Sequence, residues 1–132
     1  MTDTQIMRSL YPKRQGLLGS GLVRLPSMTF SASETFVFEW LLRASDGDDL
    51  ETEIDAHTFT YLLVDPSTLE IVATYTDGNG LTITPSTGSF LVGGTERIDA
   101  GYYHHFMRGL NNSTNFDRFF FDGKIDVLQG ID

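Results

Sequence analysis

The sequence predicts an all-β domain, an antiparallel β-sandwich or barrel of about seven to nine short strands. Three observations predict it. Apolar residues alternate with a period of two in stretch after stretch, as in "TFVFEWLLR" and "HTFTYLLV". Turn signals such as "DPST", "DGNG" and "PSTG" separate these stretches, at the spacing of roughly eight to twelve residues typical of short-stranded β domains. No helix-length segment carries a convincing 3.6-residue period.

Each element follows from its residues. Residues 1–28 read as an N-terminal arm, with four of the nine basic residues (Arg8, Lys13, Arg14 and Arg24) and the glycine-rich "GLLGSG". That run has the order G-x-x-G-x-G rather than G-x-G-x-x-G, and neither strand nor amphipathic helix flanks it, so it predicts no phosphate site. Leu10, Tyr11, Leu17 and Leu18 give the arm something apolar to bury against a neighbour. The sandwich is expected over residues 29–132. In "TFVFEWLLR" the side chains of Phe36, Phe38, Trp40 and Leu42 share a face, which marks Phe36, Phe38 and Trp40 as core. "SDGDD" is a turn. "LETEID" reads as a strand with Leu50, Thr52 and Ile54 on one side and three acids on the other.

"HTFTYLLV" aligns His57, Phe59, Tyr61 and Leu63, and "DPST" turns the chain, with Pro66 suited to a φ near −65°. "LEIVATYT" is a strand, "DGNG" a strong turn, and "LTIT" and "SFLV" are strands separated by "PSTG". "DAGYYHHFMRG" is a strand, followed by a polar loop in "LNNSTN". In "FDRFFFDGKIDVLQ" the shared parity of Phe119, Phe121, Ile125 and Val127 predicts two strands, or one kinked at Gly123. Phe36, Phe38, Trp40, Tyr61, Tyr103, Phe119 and Phe121 are therefore the expected large core residues.

Composition narrows the function. The chain has 132 residues, 40% of them hydrophobic, and a formal charge of −9. Length and hydrophobic content suit one domain with one core. The charge argues against binding a nucleic-acid duplex, where clustered Lys and Arg must meet phosphates, and against an anionic membrane surface. With no cysteine, disulfides, zinc–thiolate sites and thiol nucleophiles are excluded. "MTDTQIMRSLYPKRQG" carries no apolar h-region, so synthesis and folding in the cytoplasm are expected.

Candidates for chemistry are weak. His104 and His105 are adjacent on a strand, so they point to opposite faces and cannot readily share a metal. The acidic run Asp46, Asp48, Asp49, Glu51, Glu53 and Asp55 fails the calcium-loop spacing. Counting from Asp46, Leu50 falls where an oxygen ligand belongs and Glu51 where glycine belongs. A site built from His57 and His105 on neighbouring strands is the remaining metal arrangement, and a satisfied, partly buried histidine is the commoner outcome. No G-x-S-x-G elbow accompanies the histidines. The expectation is a protein with no cofactor, no metal and no catalytic residues.

A more specific pattern is Asp99-Ala100-Gly101-Tyr102-Tyr103-His104-His105. It resembles the tyrosine corner of immunoglobulin-like sandwiches, in which a tyrosine bonds back to upstream backbone two residues before a core cysteine. Asp99, Gly101 and Tyr103 form the corner in this reading, and His105 takes the cysteine's place. The resemblance implies an immunoglobulin-like antiparallel β-sandwich.

The order of pieces from Phe36 to Val127 is similar to that of the immunoglobulin-like tail and baseplate proteins of phages and prophages, such as the N-terminal domain of baseplate upper proteins. The pieces are Phe36 to Leu42, Asp46-Gly47, Thr58 to Asp65, Asn79 to Val92, Ile98 to Phe106 and Phe119 to Val127. The resemblance implies a non-enzymatic virion structural protein, made in the host cytoplasm. It would assemble with other virion proteins or with itself as a homo-oligomer, without nucleic acid or membrane. A carbohydrate-binding or adhesion module is the alternative, with Trp40, Tyr102 and Tyr11 as the aromatics to stack on sugar.

Overall fold

The structure, a computed structural model, describes residues 13–17, 22–43 and 49–130. Among them are ten strands and one short helix. The strands are β1 (Lys13–Leu17), β2 (Val23–Arg24), β3 (Met28–Ser31), β4 (Val37–Arg43), β5 (His57–Asp65), β6 (Glu70–Asp77), β7 (Gly80–Thr84), β8 (Ser89–Gly93), β9 (Gly101–Asn111) and β10 (Asp117–Leu128). The helix, α1, is Leu50–Asp55. The chain is all-β, as its alternation predicts.

The strands form one hydrogen-bonded sheet in the order β1-β4-β8-β7-β6-β5-β9-β10-β2, with β3 also on β10. The sheet is mixed rather than antiparallel: β1 runs parallel to β4, β6 to β7, and β2 and β3 to β10. It is also strongly curled. Six strand spacings separate β4 from β10 along the sheet, about 29 Å if it were flat. Yet the rings of Trp40 on β4 and Phe121 on β10 have centroids 5.1 Å apart. The bend falls where β6 meets β7, which pair only through Thr76 with Gly80 and Asp77 with Leu81. Gly78 and Gly80, both at positive φ, make that corner. One half of the sheet (β1, β4, β8, β7) thereby faces the other (β6, β5, β9, β10).

The core lies between the halves. Phe36, Phe38, Trp40, Leu42, Phe59, Tyr61, Leu63, Phe90, Met107 and Phe121 are almost wholly excluded from solvent. Their rings meet edge-on, with Phe38 on Tyr61 at 5.8 Å and Phe59 on Phe90 at 4.7 Å, the preferred aromatic geometry. Trp40 Nε1 has no hydrogen-bond partner among the described residues, so burying this ring carries a polar cost.

Three expectations are corrected. "LETEID" is a helix, not a strand. Asp49 is its N-cap, its carboxylate accepting from Thr52 N at 3.2 Å and Thr52 Oγ1 at 2.8 Å. Leu50 and Ile54, four residues apart, lie on one helical face and pack on the core. Second, Phe119 is exposed and Phe120 takes its place inside. A β-bulge between Phe119 and Phe121 shifts the register against β9, so Phe120 and Phe121 both point inward. Gly109 on β9 leaves the room, since an added Cβ would strike the Phe120 ring.

Third, the described part of the supposed arm belongs to the sheet. β1 lines the edge of β4, β2 and β3 line the edge of β10, and Leu25 and Met28 are core residues. These short strands give the edge groups of β4 and β10 hydrogen-bond partners that they would otherwise lack. Leu17 ends β1, whereas Leu10, Tyr11 and Leu18 lie outside the described residues.

Candidate functional site

The long strand β9 carries most of the chemistry-bearing residues, and its pleat sorts them. Tyr103, His105 and Met107 point into the core, while Tyr102, His104, Phe106 and Arg108 lie on the outer face. At the strand's start Tyr103 Oη donates to the carbonyl of Asp99 at 2.7 Å. Gly101 lies against that phenol, where a Cβ would sit 3.2 Å from the hydroxyl. Burial, then the negative charges of Asp99 and Asp65, push the Tyr103 phenol above its ordinary pKa. Its hydroxyl is a fixed structural donor rather than an acid.

His105 is fully buried. Its Nδ1 shares a hydrogen bond of 3.0 Å with Tyr61 Oη, and Phe38 and Phe121 pack against its ring. Burial pushes the Tyr61 phenol well up as well. The imidazole lies over Gly123, where a Cβ would come within 2.6 Å of Nε2. His57 is engaged elsewhere: its Nδ1 is 2.7 Å from the Glu53 carbonyl and its ring stacks on Phe59. His57 and His105 therefore do not meet. Glu51, Glu53 and Asp55 lie along α1, and Asp49 is committed to its cap; Asp46 and Asp48 lie outside the described residues. No three His, Asp or Glu side chains gather as a metal site among the described residues.

The surface gives more than the core does. An outward sheet face ordinarily alternates to polar residues. Here the outer face of β6, β5, β9 and β10 carries an apolar band. Val64 pairs with Ile71 on one side and His104 on the other, and Leu62 pairs with Phe106. Phe106 meets Phe119 with ring centroids 5.5 Å apart. Ile71 is 55% exposed, Phe119 46% and Tyr102 44%, so the two edges of the band are open to contact. The β10 bulge puts Phe119 there, and this is the part of the site that parity reasoning missed. The three consecutive phenylalanines were the available signal, since a strict alternation cannot place them all.

Charge on this face is confined to its β9–β10–β2 side. Arg108 grips Asp117 through Nε at 2.8 and 2.9 Å and through a second nitrogen; the hydrogen bonds from Arg108 hold the Asp117 carboxyl below its usual range. Arg24 meets Asp122 at 3.2 Å through two nitrogens. Beside that pair lies a groove of about 370 Å³, walled by Leu25, Pro26, His104, Phe106 and Lys124 among others. Trp40 is wholly buried, as its shared parity with Phe36 and Phe38 predicts, and cannot stack on a sugar, whereas Tyr102 is accessible; Tyr11 lies outside the described residues. Set against known protein families and curated proteins, the chain matches no family model and no curated sequence.

Proposed function

We propose that the chain is a non-enzymatic structural module of a phage or prophage particle, working through protein–protein contacts in a tail or baseplate. The observation that carries this reading is the apolar outer band from Ile71 to Phe119, because large contiguous apolar patches on a folded domain mark contact surfaces. The engagement of His57 and His105 with structural partners supports a non-enzymatic role. So does the resemblance in the order of strands and turns, within which we read the two facing halves as layers of an immunoglobulin-like sandwich.

Proteomics of purified particles produced from a genome carrying this gene tests the proposal. The chain should be a stoichiometric particle component, and its deletion should stop assembly. Intact, infective particles without it would overturn the reading. The accessible ring of Tyr102 favours a second reading, a carbohydrate-binding or adhesion module. In that case a glycan array would find a ligand whose binding Tyr102→Ala abolishes.

A further inference from the structure

We infer that the outer face of β6, β5, β9 and β10 is the contact surface for a second copy of this chain. The inference rests on the assembly reading and names the partner and the place.

Size comes first. Four strands at ~4.8 Å spacing and strands about 30 Å long give a face of roughly 600 Å² in plan. That is the scale of the ~800 Å² of accessible surface that each partner contributes to a standard interface. Composition comes second. The middle of the face is aliphatic and aromatic (Leu62, Val64, Phe106), with Ile71 and Phe119 at its sides. Charges on this face lie on β9 and β10, Arg108 on the former and Asp117, Asp122, Lys124 and Asp126 on the latter, and none at the outward positions of β5 or β6. An apolar centre with a polar margin is the anatomy of a protein–protein contact.

Charge identifies the occupant. The chain carries −9, so most ways of bringing two copies together oppose like charges. The outer face is different. Counted with Arg24 on the flanking β2, which is paired to Asp122, its charged residues are Arg24, Arg108 and Lys124 against Asp117, Asp122 and Asp126. Three basic and three acidic residues cancel, which leaves the whole −9 elsewhere on the chain. A two-fold contact sets the same patch against itself, and here that patch is neutral. Lys124 and Asp126, which have no ion-pair partner among the described residues, are of opposite sign and can pair across such an axis. An unrelated basic partner would instead be drawn to the acidic surfaces.

Sedimentation of the purified full-length chain over a concentration series tests this. A dimer is expected, and it should persist at high salt because its centre is apolar. Ile71→Glu and Phe119→Glu alter residues that are about half exposed, so the fold survives, checked by thermal melting. Each should weaken dimerisation by about tenfold or more. Lys124→Glu takes the face from neutral to −2 and should weaken it at low salt, with recovery as salt screens the repulsion. A chain that stays monomeric at every concentration, or a dimer indifferent to all three variants, overturns the inference. The two proposals fail separately. A monomeric chain that is nonetheless a particle component sinks the second-copy contact alone. A dimer absent from every particle sinks the assembly reading alone.

Discussion

The two faces of β9 differ sharply in how the fold uses them. Tyr103, His105 and Met107 on the inside are each tied to something: a backbone carbonyl, a phenol, a wall of rings. Tyr102, His104 and Phe106, one residue away in each case, lie on an aromatic-rich outer face that is partly open to solvent, Tyr102 most of all. A burial pattern read from sequence says which face is hydrophobic. It does not say that only one face is finished by the fold. When both faces of a strand are rich in aromatics, the alternation alone does not tell which one the fold buries.

The largest expected effect contrasts the two ends of the β10 bulge. Phe121→Ala should destabilise by ~3–5 kcal/mol, the usual cost of emptying a packed aromatic site. Phe119→Ala should stay within about 0.5 kcal/mol, as surface changes do. Urea melts at low protein concentration, where self-association is negligible, measure both. Equal costs would erase the distinction between the faces.

Next is the buried pair. Tyr61→Phe removes the phenol from His105 Nδ1 and should cost ~1–3 kcal/mol, the penalty for taking a partner from a buried polar atom. The comparison sharpens further at the strand's start. Tyr103→Phe should lose ~0.5–1.5 kcal/mol with its bond to Asp99, and Tyr102→Phe should lose less. A reversed order would mean that the inner face is set by Tyr102.

The smallest effect is on the outside. Asp117, Asp49 and Asp65 have carboxyls held below their ordinary pKa, by Arg108, Thr52 and Ser67 respectively. A folded pKa below the unfolded one stabilises the fold above the unfolded value, and this is lost as pH falls through the folded one. Melting temperature should therefore hold at neutral and mildly acidic pH and decline below about pH 4. Asp117→Asn should make the decline slightly shallower. Because these groups are exposed, screening keeps the effect small.

The strand residues legible in the sequence were those whose period was unambiguous. Phe36, Phe38, Trp40 and Tyr61 alternate cleanly and are buried. In "LETEID" the period-two reading of Leu50, Thr52 and Ile54 competed with a four-residue spacing from Leu50 to Ile54. The local capping chemistry of Asp49 decided for the helix. In "RFFF" a bulge absorbed a residue, and alternation carries no information across a bulge. The N-terminal strands were illegible for another reason. A two-residue strand such as Val23–Arg24 has no period to read, and only pairing with β10 makes it a strand. The outer band was present in the sequence as Leu62, Val64 and Phe106, but its continuity depends on which strands lie side by side.

That pairing has a consequence in time. Arg24 and Asp122 meet across 98 positions of chain, and β3 meets β10 over a similar separation. Contacts so distant form late and slow the search for the native state. During synthesis, β2 and β3 must wait, without their β10 partner, until β10 has left the ribosome. For that interval Leu25 and Met28 are exposed, and the growing chain is vulnerable to chaperone capture or misassociation. Strands β2 and β3 therefore take their place in the sheet only once β10, far later in the chain, has been made.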